Sequence, residues 1–505
     1  MGKRLGVFAV LVALVLGVFA IGGGTALASG TTYYVNASTG SAGNDCLSAG
    51  SPCKTIQSAI DKASSGDTIV VAAGTYTENV TVNKSLTIDG AQAGVDARTR
   101  STGSESTVDG NGGPNFTVTA SNVTIDGFTL LGPSNQGSAA IVMQGTYSGE
   151  TIQNNIIQNP GRAASFETSD TVFRQNHVHG VGSPGDGFQE NSTNVSNVTL
   201  ADNLFDGAAN SNADITIISS SAMSTGIVVS GNQSVNSDTL IALFYTNGAQ
   251  ITDNVITGAG GSAIYIGGGS TNITVSGNSV TGGTAKAINV ANDFGDGANS
   301  SITITGNTLK NNAYGIYVGA TALSGTIEAH TNAIAGNTQF GVANYSDNLV
   351  DAANNWWGSA SGPYYDNPNL PDACGLNTNN PHGKGNGVTP CVKFAPWLGM
   401  PTPGHTYSWS DGTNELFVNA RTHQFTFLYQ TSSGGLAVCG DSHALTFRLA
   451  NNTGVLIFAT CSENPNQRIT VIGSTNGGVL VTLATKSGNQ PWQWQGSSYR
   501  LKSVS

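Results

Sequence analysis

The sequence predicts an all-β chain: a right-handed single-stranded parallel β-helix with a short N-terminal capping helix, then a small antiparallel β-sandwich or barrel. Three observations carry this reading. A phrase of alternating apolar residues ending in Gly/Asp-Asn recurs at intervals of about 25 residues between positions 120 and 363. The composition, with 67 Gly in 505 residues and only 10% charged side chains, suits turns and stacked strands rather than helices. Beyond residue 404 the phrase stops and aromatic residues become more frequent.

Residues 1–28 read as an export signal. Lys3 and Arg4 form the charged start, Leu5 to Ile21 is an apolar and glycine run, and Ala26-Leu27-Ala28 offers a small-x-small cleavage site. An uncleaved anchor is the alternative, since the run lies near the lower limit for spanning a bilayer. Cleavage leaves a secreted or cell-surface protein with no membrane contact in its mature form. Without Lys3 and Arg4, 17 basic residues face 30 acidic ones. That balance argues against nucleic acid as a partner and against anionic membranes.

Residues 29–66 hold an N-terminal strand and the capping helix. Ile56, Ala59, Ile60 and Ala63 make an apolar stripe on one short helix, suited to plugging the open end of a solenoid. The coil itself is assigned to residues 67–363. Aligned on the turn, the phrase places Asp126, Asn155, Asn176, Asn203, Asn232, Asn254, Asn278, Asn307, Asn332 and Asn355 at equivalent corners. Intervals of 21 to 29 residues fit three short strands per rung. Asn-Gly hairpin turns and ten-residue amphipathic patterns are missing from the joints, which excludes hairpin sandwiches and βαβ units. Asn suits such a corner because it tolerates the left-handed backbone and its amide can bond to the Asn one rung above.

Residues 364–403 form a connector: eight of the 15 prolines lie between Pro363 and Pro403. Residues 404–505 read as the C-terminal β-domain, with strands at Glu415 to Ala420, Gln424 to Gln430, Ala444 to Ala450, Val455 to Thr460 and Val479 to Ala484. The six cysteines fall as Cys46/Cys53, Cys374/Cys391 and Cys439/Cys461, read as local disulfides of an exported chain.

On these residues the chain resembles the pectin-lyase-like superfamily of right-handed parallel β-helices. The run Lys54 to Ala63, then Gly66-Asp67-Thr68-Ile69-Val70-Val71 and Gly74-Thr75-Tyr76, is similar to the opening of pectinesterase-like proteins. Asn354-Asn355-Trp356-Trp357-Gly358 with Ser361-Gly362-Pro363 resembles the last-rung phrase of bacterial members. The resemblance implies extracellular polysaccharide as the partner class, and a ligand groove on the outer face of the strand after the Asn corner and its next turn. The activity motifs of polygalacturonases, pectin methylesterases, pectate lyases and alginate epimerases are missing, so no catalytic residue is carried over.

Apolar alternation fixes which residues line that groove. Ile264 and Ile266 point inward, so Tyr265 points out, and Val142, Ser165, Gln189, Thr216, Asn289 and Tyr317 share its file. Tyr265, Asn289 and Tyr317 are the candidate sugar contacts there, with Trp492 and Trp494 as a stacking pair in the C-terminal domain. Charges gather near the file in one place: Arg162 and Glu167 flank Phe166, while Asp186 and Glu190 flank Phe188 one rung later. Paired carboxylates suit glycoside hydrolysis, and solvated turn residues are the plainer alternative. Lys286 shares the file of Asp186 but lies four rungs off, roughly 19 Å. His177 and His179 share a strand face without an evident third ligand, so no metal site is assigned, and no cofactor is implied. Asp293, Asp296 and Asn299 read as a Gly-rich turn. Three functions fit: binding or processing of extracellular polysaccharide, a non-catalytic surface or matrix protein, and a lyase or hydrolase with an atypical site.

Overall fold

The computed structural model describes residues 30–398, apart from short loop stretches at 101–102, 136, 183–184, 192–193, 208–211, 220–221, 294, 296 and 360. Between 406 and 504 it describes backbone strands only. The described chain is all-β, with one short α-helix, Ile56–Lys62. Three parallel faces of 16, 11 and 11 strands wind around a common apolar core. The first face begins with Thr32–Val35 and Thr68–Val71, the second with Gly74–Thr77 and Ser106–Asp109, and the third with Val80–Val82 and Phe116–Val118.

Most of the shorter strands bury alternate residues, and the buried apolar ones stack into files along the axis. One section of the core is aromatic. Phe173 stacks on Phe188 at 4.5 Å, with Phe166 5.2 Å from Phe173 and Phe205 5.5 Å from Phe188. The helix closes one end as its stripe predicts: Ile56, Ala59 and Ile60 are fully buried and Ala63 nearly so. Both helix ends are satisfied from the coil. Glu78 accepts the N–H groups of Ile56 and Gln57, and Lys84 Nζ donates to the carbonyls of Ile60, Asp61 and Ala63.

The corner between the first and second faces carries an unbroken asparagine ladder from Asn155 to Asn355. Each side-chain amide donates to the next Oδ1, at 3.3 Å from Asn155 to Asn176 and 2.8–3.0 Å thereafter, and each backbone N–H donates to the same oxygen. Two expectations need correction. Asp126 is not a rung of the ladder: it pairs in register with Gln153, and Phe128 occupies the corner and donates its N–H to Asn155. The left-handed conformation, moreover, belongs to the residue before each ladder asparagine. Asn154, Gln175, Asp202, Asp253, Thr331 and Asn354 have φ of 55° to 58°, and glycines 231, 277 and 306 fill the other rungs. One residue turns the chain and the next caps the rung above, because a buried amide that must reach its neighbour needs extended backbone.

A second, shorter ladder runs Asn312, Asn337, Asn386 at the corner between the second and third faces. Its last member comes from the stretch read as a connector. There Val392–Lys393 pairs in parallel with Val350–Asp351 and lengthens the first face. Phe394, Trp357 and Tyr365 are buried against the final rungs. The prolines of this stretch thus interrupt a closing rung rather than a free linker. Disulfides join Cys46 to Cys53 and Cys374 to Cys391; Cys439 and Cys461 lie outside the residues whose side chains are described. The C-terminal strands form two five-stranded antiparallel sheets, one containing Thr406–Ser410 through Leu436–Asp441 with Lys502–Val504, the other Phe447–Ala450 through Gln493–Gln495. No helix among the described residues is long and apolar enough to cross a membrane.

Candidate functional site

The third face carries the file predicted by alternation. Val142, Ser165, Gln189, Thr216, Ala242, Tyr265, Asn289 and Tyr317 follow one another in register, with Ile264 and Ile266 fully buried on the opposite side. The file has two halves. In the first, Ser165 and Thr216 are largely buried. The second is aromatic. Phe244 packs on Tyr265 at 5.2 Å, and Tyr317 lies 5.3 Å from both Tyr314 and Tyr345. Phe340 stacks 6.4 Å from Tyr314. Lys286 Nζ sits 4.2 Å above the Tyr317 ring, and Tyr265 donates its hydroxyl to Asp293 at 3.3 Å. Burial, followed by the neighbouring tyrosines, raises the pKa of Tyr317, so its hydroxyl stays a neutral donor. Tyr345 is 48% exposed at the rim.

Asn289 lies in this file between Tyr265 and Tyr317 but is 1% exposed. Its Nδ2 donates to Ser262 Oγ at 3.0 Å, while its buried Oδ1 has no hydrogen-bond partner. Trp492 and Trp494 fall outside the residues whose side chains are described.

The charged cluster divides into separate environments. Arg162 and Asp186 are register partners at one end of their strands, and Thr216 donates to Asp186 at 2.9 Å. Burial raises the Asp186 pKa, opposed by the Thr216 bond and the Arg162 charge. Glu190 occupies the far end of Asp186–Glu190, four residues on, roughly 13 Å along an extended strand. It is fully buried beside Ser224, and desolvation raises its pKa to about 8. Glu167 accepts from Gly145 N–H and from the Asn191 amide, bridging two turns.

Two groups escaped sequence reasoning. Asp214, one rung beyond Asp186, is fully buried, accepts from Ser234 Oγ at 2.5 Å, and is raised by burial to about 7. Alternation along Ala213–Ile218 would place it outward like Thr216, so the local pattern carries no signal for its burial. Asp206 lies against the two histidines of the second face. Its Oδ1 is 3.1 Å from His177 Nε2 and 2.5 Å from His179 Nδ1. Asp206 follows Asn203 by the same three residues that separate His179 from Asn176, so the ladder register places it next to His179. Asn299, by contrast, is buried and satisfied by the carbonyls of Ala291 and Ala322, as a turn residue should be.

A family model described as the right-handed β-helix region matches residues 139–295 and 223–356. A cell surface glycoprotein of Methanothermus fervidus is 40% identical over 106 residues, which cover 21% of this chain and 15% of that protein's length. Among solved structures, the catalytic unit of an α-1,3-glucanase from Streptomyces thermodiastaticus has a TM-score of 0.45 at 15% identity, covering 68% of this chain and 65% of that one. An exopolygalacturonase from Thermotoga maritima has a TM-score of 0.42 at 10% identity, covering 58% and 84%. An alginate lyase in complex with a trisaccharide has a TM-score of 0.40 at 15% identity, covering 69% and 93%.

Proposed function

We propose that this right-handed β-helix protein of the pectin-lyase-like fold binds extracellular polysaccharide along the aromatic half of its third face. One observation carries the reading. Phe244 and Tyr265 form one aromatic group and Tyr314, Tyr317, Phe340 and Tyr345 a second on the same face, separated by the rung of Lys286 and Asn289 and edged by Asp293. Rungs repeat at about 4.8 Å, so an extended sugar chain lying along the axis meets rings on both sides of the Asn289 rung. Aromatic faces stack on the C–H faces of pyranose rings, and phenolic hydroxyls bond to sugar hydroxyls. The strip offers neutral recognition, which suits a chain with an excess of acidic residues better than a grip on polyanions.

The C-terminal strands, as a sandwich or barrel with Trp492 and Trp494, would act as an accessory sugar-binding module. A second reading is a non-catalytic structural or adhesive protein at the cell surface. The partial likeness to a cell surface glycoprotein and the two disulfides favour that location. A lyase or hydrolase built on Arg162, Glu167, Asp186 and Glu190 is the least supported, because these groups occupy separate environments.

A panel of neutral and acidic glycans separates the three. Binding that Tyr317→Ala weakens, without reducing ends or unsaturated products, supports the lectin-like reading. Products lost in Asp186→Ala support an enzyme. No binding and no product with any glycan leaves the structural protein.

A further inference from the structure

We infer that His177, His179 and Asp206 form a binding site for a first-row divalent transition-metal ion of the zinc class, clamping two consecutive rungs of the second face. His177 and His179 are two residues apart on His177–His179 and so leave the sheet on the same side. Asp206 ends the neighbouring strand Leu204–Asp206 and pairs in register with His179. The three side chains converge: one ligand atom from each lies within 4.8 Å of the others.

The spacing suits a metal. Ligands held about 2.1 Å from a zinc-class ion are about 3.0 Å apart in octahedral geometry and about 3.4 Å in tetrahedral geometry. The His177–Asp206 edge, 3.1 Å, already has that scale, the His179–Asp206 edge, 2.5 Å, has to open by about half an ångström or more, and all three ligand atoms lie within 4.8 Å of one another. Two imidazoles with one carboxylate select this class of ion over calcium or magnesium, which prefer all-oxygen shells. The surroundings suit it as well. Ile156 and Leu204 are the register neighbours of His177 on either side and Val235 follows Asp206, so apolar side chains flank the site on the His177 side and beyond Asp206, while Gln158 is the neighbour of His179. Such a shell strengthens metal–ligand attraction. Access is open outward, since the His179 side chain is 52% exposed. Three protein ligands leave at least one position for water or another ligand.

The test uses the full chain without a histidine tag. Zinc chloride is titrated by calorimetry, Co(II) binding is followed by its visible spectrum, and thermal unfolding is measured with and without zinc. One equivalent should bind, with a Co(II) spectrum of nitrogen and oxygen ligation and a zinc-dependent rise in Tm. Asp206→Asn keeps an oxygen acceptor for both rings, and it and His179→Gln should each weaken binding by at least about tenfold. His330→Gln, a histidine distant in sequence that faces Glu328, should leave binding unchanged. Failure of the folded wild-type chain to bind one equivalent, or equal affinity in Asp206→Asn and His179→Gln, overturns the site.

Discussion

Asn232 Oδ1 accepts two hydrogen bonds from Asn203, one from its backbone N–H at 2.9 Å and one from its side-chain amide at 3.0 Å. Asn232 in turn donates to the carbonyl of Leu200 and to Asn254 Oδ1. All of these groups are buried, so losing one amide orphans donors and acceptors on both sides.

Asn232→Ala should therefore destabilise the coil by about 3 kcal/mol or more, at about 1–3 kcal/mol for each buried group left unpaired. The residue before the ladder answers to a different rule. Gln175 has φ 55° and serves the turn, so Gln175→Gly should stay within about 1 kcal/mol of wild type, while Asn176→Gly should cost several times more. Urea unfolding of the three variants checks this. Equal losses in Gln175→Gly and Asn176→Gly would refute the division of labour.

Stability should fall as pH rises above the ordinary carboxylate range. Glu190 is raised from 4.5 to about 8 and Asp214 from 3.8 to about 7, both by desolvation. Each stays protonated in the fold over a range where the unfolded chain ionises it. Its contribution is complete below the unfolded pKa and is lost progressively until pH passes the folded value, on the order of a few kcal/mol each. Glu190→Gln should match wild type near pH 4.5 and exceed it near pH 8 in unfolding free energy. A parallel offset at all pH values would sink the prediction.

The capping helix should depend on a residue outside it. Glu78→Ala removes the acceptor of the Ile56 and Gln57 N–H groups and should cost about 1–2 kcal/mol. The loss should appear as faster amide exchange in Ile56–Lys62, with the ladder rungs far from the helix unchanged.

The aromatic strip predicts graded effects on glycan affinity. Tyr265→Ala and Tyr317→Ala should each weaken binding several-fold, whereas Tyr317→Phe should keep most of it, because stacking outweighs one hydroxyl. Asn289→Ala should act through stability rather than through contact, given its 1% exposure. A binding loss with unchanged unfolding behaviour for Asn289→Ala would reverse that assignment.

Much of the coil was legible in the chain. A 25-residue repeat with alternating strands leaves few folds that bury every short strand, and the stripe of Ile56, Ala59 and Ile60 marks its cap. The file from Val142 to Tyr317 followed from alternation, because a period of two is local. The start of the ladder was misread at Asp126, since one rung replaces the corner asparagine by Phe128 and shifts the alignment by two residues.

Sequence by itself thus determined the three-sided parallel coil, its helical plug and which residues leave the third face, all of which depend on spacing of a few residues. Only the tertiary structure decided which side chains meet across rungs. It buried Asn289 and Asp214 and closed the Asp206 carboxylate onto the two histidines. Those outcomes depend on packing between rungs more than twenty residues apart in the chain, which local alternation does not fix.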